Sequence, residues 1–96
     1  MKVEYATRAV ADLRKVSTDS LAFGAAVAAN VEARVQEIIA YIATHPEAAS
    51  QVAERPGVRV IPLIRYPYKI FYRVLEDRVR ILHIRHTSRR PWTRER

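Results

Sequence analysis

The chain has 96 residues, 49% of them hydrophobic, and seventeen Lys/Arg against ten Asp/Glu for a formal charge of +7. That length fits one domain, residues 1–96, with a modest core. The lack of cysteine excludes disulfides and thiolate metal sites and suits a reducing cytoplasm. No apolar run approaches the roughly 20 residues of a membrane span, and Glu4, Arg8 and Asp12 interrupt any signal-peptide-like stretch. The charge is segregated. Residues 1–57 hold six Lys/Arg and seven Asp/Glu, a net of −1, whereas residues 58–96 hold eleven and three, a net of +8. Ten of those eleven cations are arginine, which forms bidentate bonds to phosphate or carboxylate and stacks on flat groups. Such asymmetry points to a nucleic-acid, nucleoprotein or acidic-protein partner, against the plainer reading of a basic surface kept for solubility.

In chain order, Lys2–Tyr5 alternates weakly and reads as a short first strand. From Ala6 to about Val16, apolar residues at Ala9, Val10, Leu13 and Val16 fall at helical spacing, with Thr7 as the expected N-cap. Ser17–Ser20 reads as a polar break that caps the next helix. The second helix runs from about Leu21 to Thr44 on Val27, Val31, Val35, Ile38, Ile39 and Ile42, with Gly24 a weak point near its start. His45-Pro46 ends it, because the residue before proline avoids the helical region. The short break predicts an antiparallel helical hairpin. Pro46–Gly57 is a linker in which Glu47–Glu54 has helical character, closed by the Arg55-Pro56-Gly57 turn.

Three strands are then predicted, Val58–Leu63, Tyr68–Leu75 and Arg78–His86, followed by a basic tail, Thr87–Arg96. The order β-α-α-β-β-β implies an α+β fold, an antiparallel β-sheet with the N-terminal helical hairpin on one face. A symmetric turn at Glu76-Asp77 pairs Val74 with Val79, Tyr72 with Ile81 and Ile70 with His83 on the core face. The other face then carries Arg73 opposite Arg80, Phe71 opposite Leu82 and Lys69 opposite Ile84. A bulge would void this pairing beyond its position. Two opposed arginines cost stability unless they splay into water or meet an anionic partner.

No metal or cofactor site is credible: His83 and His86 point to opposite faces of one strand, and Gly24 and Gly57 cannot form a phosphate loop. A metal-free ribonuclease would need a base, an acid and cations around the phosphorane; Lys69, Arg73, Arg80 and His86 are the candidates. His83 reads as a half-buried sheet residue. His86, at the strand end, is the better functional candidate. Trp92, after Arg89-Arg90-Pro91, either stacks on a partner or folds back on the domain.

With these residues in hand, the chain resembles the RelE/ParE superfamily of type II toxin–antitoxin toxins, and within it the ParE-like branch. The likeness rests on Tyr5 with Ala9, Asp12 and Leu13, on Ile42 with His45-Pro46, on Val58–Leu63, and most sharply on Arg65–Val74 (RYPYKIFYRV) followed by Ile81–His86 and Arg89-Arg90-Pro91. The resemblance implies the same fold and a bacterial cytoplasmic growth inhibitor neutralised by a cognate antitoxin. For ParE-like toxins it implies DNA gyrase as target, with cleaved DNA stabilised and no hydrolysis by the toxin itself. For RelE-like relatives it implies ribosome-dependent mRNA cleavage. Here that second set looks incomplete: no tyrosine follows Tyr72, and Val58–Leu63 has no glutamate and one cation, Arg59. A non-toxic relative that only binds its partner is the remaining alternative. Target contacts are expected at Arg73, Arg80, Arg85, His86, Arg89, Arg90 and Trp92. Contacts to an acidic, amphipathic antitoxin are expected at Phe71, Leu82, Ile84 and Arg73.

Overall fold

A computed structural model describes residues 1–87; Arg89, Arg90 and Trp92 lie outside the described residues. The elements are β1 (Lys2–Tyr5), α1 (Thr7–Leu21), α2 (Ala25–Thr44), β2 (Ser50–Gln51), β3 (Val58–Pro62), β4 (Tyr68–Val74) and β5 (Arg78–His86). The strands form one sheet in the order β1-β5-β4-β3-β2. Its β2-to-β5 run is antiparallel, as expected. β1 adds at the edge in parallel, Lys2 beside Arg78 and Glu4 beside Arg80, so the sheet is mixed. The two-residue β2 arises in the segment read as a linker with helical character. There Arg59 donates to the carbonyls of Ala49 (2.7 Å) and Glu47 (3.2 Å), and Val52 N–H bonds the Val58 carbonyl at 2.8 Å.

The helical hairpin turns later than the polar residues suggest. Thr7 begins α1 instead of capping it; Ala6 is the N-cap, and no side chain caps that end. The helix runs through Ser17–Ser20 because Val16 and Ser20, one turn apart, both point into the interior. The chain reverses at Ala22–Gly24 instead. Gly24 precedes α2 with φ 106, a conformation open to glycine without strain. α2 ends at His45 as predicted, and the His45 ring stacks on Tyr41 at 4.5 Å.

The core lies between the hairpin and one face of the sheet. Ala9 and Val16 of α1, with Val31, Val35, Ile38, Ile39 and Ile42 of α2, pack on Ile70, Tyr72, Val79, Ile81 and Ile84. Each fully buried Val or Ile contributes about 1.5–3 kcal/mol relative to exposure. Tyr72, fully buried, donates its hydroxyl to the Pro46 carbonyl at 2.8 Å. That bond fastens the centre of the sheet to the chain leaving α2. Burial also raises the Tyr72 pKa, so the phenol remains a donor.

The β4–β5 pairing follows the predicted parity only near the turn. Val74, Arg73 and Tyr72 face Val79, Arg80 and Ile81, but a bulge then follows, and Phe71 faces His83, Ile70 faces Ile84, Lys69 faces Arg85 and Tyr68 faces His86. Leu82 is the residue left without a Cα partner. One inserted residue moves everything beyond it to the other face. Ile84 therefore joins the helix-side core at 5% exposure, not the face shared by Phe71 and Lys69. His83 goes the opposite way. At the irregularity Asp12 of α1 accepts the Ile84 N–H at 2.9 Å.

Candidate functional site

The sheet face turned away from the helices is basic. Alternation along the strands places Lys69, Phe71 and Arg73 there from β4, Arg78, Arg80, His83 and Arg85 from β5, and Lys2 and Glu4 from β1. Phe71 and His83 lie ring on ring, with centroids 4.5 Å apart and planes within 1°. The Lys69 ammonium sits 5.8 Å from the Phe71 centroid, within cation–π range. Both rings are buried, so Phe71 is a support beneath this face and not an exposed contact. Burial first, then the positive charge of Arg8, pushes the His83 pKa down to about 4, which makes it a neutral ring at neutral pH.

The arginines on this face are individually held. Arg73 lies over Gly57, where an added Cβ would fall 2.5 Å from its Nη1, and donates to the Pro56 carbonyl at 3.4 Å. Gly57 has φ 81, so the turn that seats Arg73 depends on glycine. The opposed pair Arg73–Arg80 is relieved from one side, because Arg80 Nη2 meets Glu4 Oε2 at 3.2 Å. Arg78 Nε bonds the other Glu4 oxygen and its Nη1 reaches Asp77 Oδ1 at 2.7 Å. These bonds, that from Arg78 above all, hold the Glu4 carboxyl below its usual range. The splayed-arginine expectation is thus replaced by a carboxylate bracket supplied by a strand 74 residues away in sequence.

His86 is not on this face. It pairs with Tyr68, meets that ring edge-on at 5.2 Å, and lines a cleft between α1 and the end of β5. The cleft encloses about 160 Å³. Val16, Ile84 and Tyr68 give it an apolar side; Arg8, Asp12, Lys15 and Asp19 of α1 give it charge. Of the four groups considered for ribonuclease chemistry, Lys69, Arg73 and Arg80 therefore share one face and His86 lies on the other. The α1 residues of the cleft were missed in the sequence. Their spacing, 8, 12, 15 and 19, is a helical stripe, but nothing local marks it as facing a strand end.

The family model described as the ParE toxin of the type II toxin–antitoxin system, parDE, matches residues 3–91. No curated protein gives a significant sequence match. Among solved structures, the chain is similar to one titled as the chromosomal ParDE system from P. aeruginosa, with TM-score 0.79, 24% identity, and coverage of 92% of this chain and 97% of that one. The isolated E. coli RelE toxin is less similar, at TM-score 0.60 and 19% identity over 93% and 86% of the two chains. A chain of the intact E. coli RelBE toxin–antitoxin complex has TM-score 0.56 and 17% identity over 92% and 98%. These likenesses carry the fold, and the family model carries the membership: the chain belongs to the ParE toxin family of type II toxin–antitoxin systems.

Proposed function

We propose that this protein is a cytoplasmic bacterial toxin, one domain over residues 1–96, that inhibits DNA gyrase by binding it and has no hydrolytic chemistry of its own. The observation that carries this reading is the separation of the ribonuclease candidates. Lys69, Arg73 and Arg80 lie on one face, with Arg80 bracketed by Glu4, while His86 lies in the cleft on the helix side. A phosphorane needs its acid, base and cations around one atom, and this arrangement divides them between two faces. The ParE family match agrees with it. In this reading Arg85 and His86 at the end of β5, the tail residues Arg89, Arg90 and Trp92, and the basic face at Arg73 and Arg80 meet the target. An acidic antitoxin covers the same face, touching Arg73 and Leu82 above the buried Phe71. Ile84, in the helix-side core, takes no part in that contact. Electrostatic steering speeds its capture.

The test compares two assays of the purified toxin. Gyrase with supercoiled DNA is expected to accumulate cleaved complexes, and translating ribosomes to keep their mRNA intact. Replacing Arg89 and Arg90 with alanine relieves growth arrest while leaving stability within about 0.5 kcal/mol, as for ordinary surface changes. Cut mRNA on ribosomes together with unaffected gyrase would overturn the proposal in favour of the RelE-like activity.

A further inference from the structure

The charges of α1 oppose the helix that carries them. Arg8 sits in the first turn and Asp19 in the last, each at the unfavourable pole of the helix dipole. The pairs Arg8–Asp12 (3.7 Å) and Lys15–Asp19 (3.4 Å) also run base-before-acid along the chain, the weaker order for i,i+4 pairs. The Arg8 and Lys15 side chains are 66% and 59% exposed, so these bridges add little stability and are easily exchanged for another partner. Helix stability does not account for this stripe. What the four side chains share is the cleft.

The cleft brings three kinds of group together. His86 supplies a ring, set edge-on to the buried Tyr68. Arg8 and Lys15 supply cations at the rim. Asp19 supplies an acceptor pair, since Asp12 already takes the Ile84 N–H. An acidic side chain would meet the cations but use neither the ring nor the carboxylate acceptor. A duplex is too wide for about 160 Å³. A nucleotide satisfies all three: its phosphate suits the cations, its base has a flat face for the His86 ring, and the N–H donors on the base edge suit a carboxylate. Guanine presents two adjacent N–H donors on one edge, matched to the two oxygens of a carboxylate.

We propose that the cleft between α1 and the end of β5 binds one unstacked nucleotide of a single strand, guanine in preference, with Asp19 reading the base edge and Arg8 and Lys15 holding the phosphate. Stacking on aromatic side chains combined with a cationic groove is the general way proteins hold single strands. The proposal rests on the reading that this end of the molecule meets a nucleic-acid-bearing target, and it gives that contact a strand and a base.

Fluorescence anisotropy at fixed salt tests it, with the full-length toxin and three labelled probes: a short dT strand, the same strand with one central guanine, and its duplex. The guanine strand is expected to bind about five- to tenfold tighter than dT alone, and the duplex more weakly than either. Asp19→Asn should erase the guanine preference and leave dT binding in place. Arg8→Ala and Lys15→Ala should weaken both strands alike and each reduce the salt slope by about 1. Circular dichroism melting verifies that each variant is folded. Duplex binding equal to single-strand binding, or a guanine preference that survives Asp19→Asn, would overturn the assignment. So would poly-glutamate binding with no strand binding, which would assign the cleft to a protein ligand. The gyrase cleavage assay on the same variants separates the two proposals, because a toxin whose cleft takes no strand can still trap cleaved DNA, and a strand-binding toxin can fail to do so.

Discussion

The two faces of the sheet are held by different physics. Toward the helices, Ile70, Tyr72, Val79 and Ile81 are fully buried, and side-chain hydrogen bonds from Tyr72 to the Pro46 carbonyl and from the Ile84 N–H to Asp12 tie the sheet to the chain leaving α2 and to α1. Away from them, arginines and one carboxylate set the geometry. Arg73 rests on a glycine turn, Arg78 and Arg80 divide Glu4 between them, and His83 is kept neutral against Phe71. The first face derives its energy from area removed from water. The second derives little net energy from exposed pairs, but it fixes where positive charge stands. Burial of apolar area and placement of positive charge are thereby assigned to opposite sides of one layer, so each can be changed with limited effect on the other.

The comparison is broken most severely by Tyr72→Ala. It leaves a cavity at the centre of the helix-side core and strands the Pro46 carbonyl, and should cost about 3–5 kcal/mol in urea unfolding. Tyr72→Phe isolates the hydrogen bond and should cost about 1 kcal/mol. Acid attacks the other face. The folded-state pKa of His83, about 4, is below the ordinary value of 6.5. Between those values the unfolded chain binds a proton that the folded chain does not, so this contribution is fully present above pH 6.5 and is lost as pH falls toward 4. The expected loss at the acid end is on the order of 3 kcal/mol. Urea titrations at a series of pH values should show it, and His83→Phe, which preserves a ring against Phe71, should remove that part of the slope. Gly57→Ala comes next, at about 1–2 kcal/mol for the left-handed backbone, with Arg73 displaced from its seat. It should weaken antitoxin binding in calorimetry more than a neutral change in the β4–β5 turn does. Smallest in stability is Glu4→Gln. Melting should barely move, while association with a DNA or antitoxin probe becomes faster and steeper in its salt dependence, because the face loses its carboxylate.

What could be read in the sequence follows the range of the interactions involved. Helix-period runs such as Val31–Val35–Ile38–Ile42 and the β-branched and aromatic strands place the hairpin and β3–β5 because local periodicity reports burial. The segregated charge likewise placed the basic face on β4 and β5. The bulge at Leu82 was not legible. It depends on how β5 twists over its neighbours, and its consequence was to move Ile84 into the core and His83 out of the helix-side face. Glu4 was not legible as the partner of Arg80 either, since parallel pairing of β1 with β5 is settled by tertiary packing. The cleft required both α1 and the far end of β5 in place. Gly24 was noticed as a weak point, but Ser17–Ser20 drew the break because polar residues are enriched in turns, whereas here Ser20 packs inside the helix pair.

The parallel edge made by β1 has a consequence for how the protein comes into being. Residues 2–5 pair with residues 78–81, so β1 waits for β5, far along the chain, before its strand has a neighbour. Contacts of such separation form late and slowly. α1 and α2 can pair while the chain is still being made, but the carboxylate bracket on Arg78 and Arg80, the cleft and the full sheet exist only after β5 has left the ribosome. The basic surface is therefore completed only when β5 has paired with both β1 and β4, and a nascent chain that stops short of β5 carries no finished version of it.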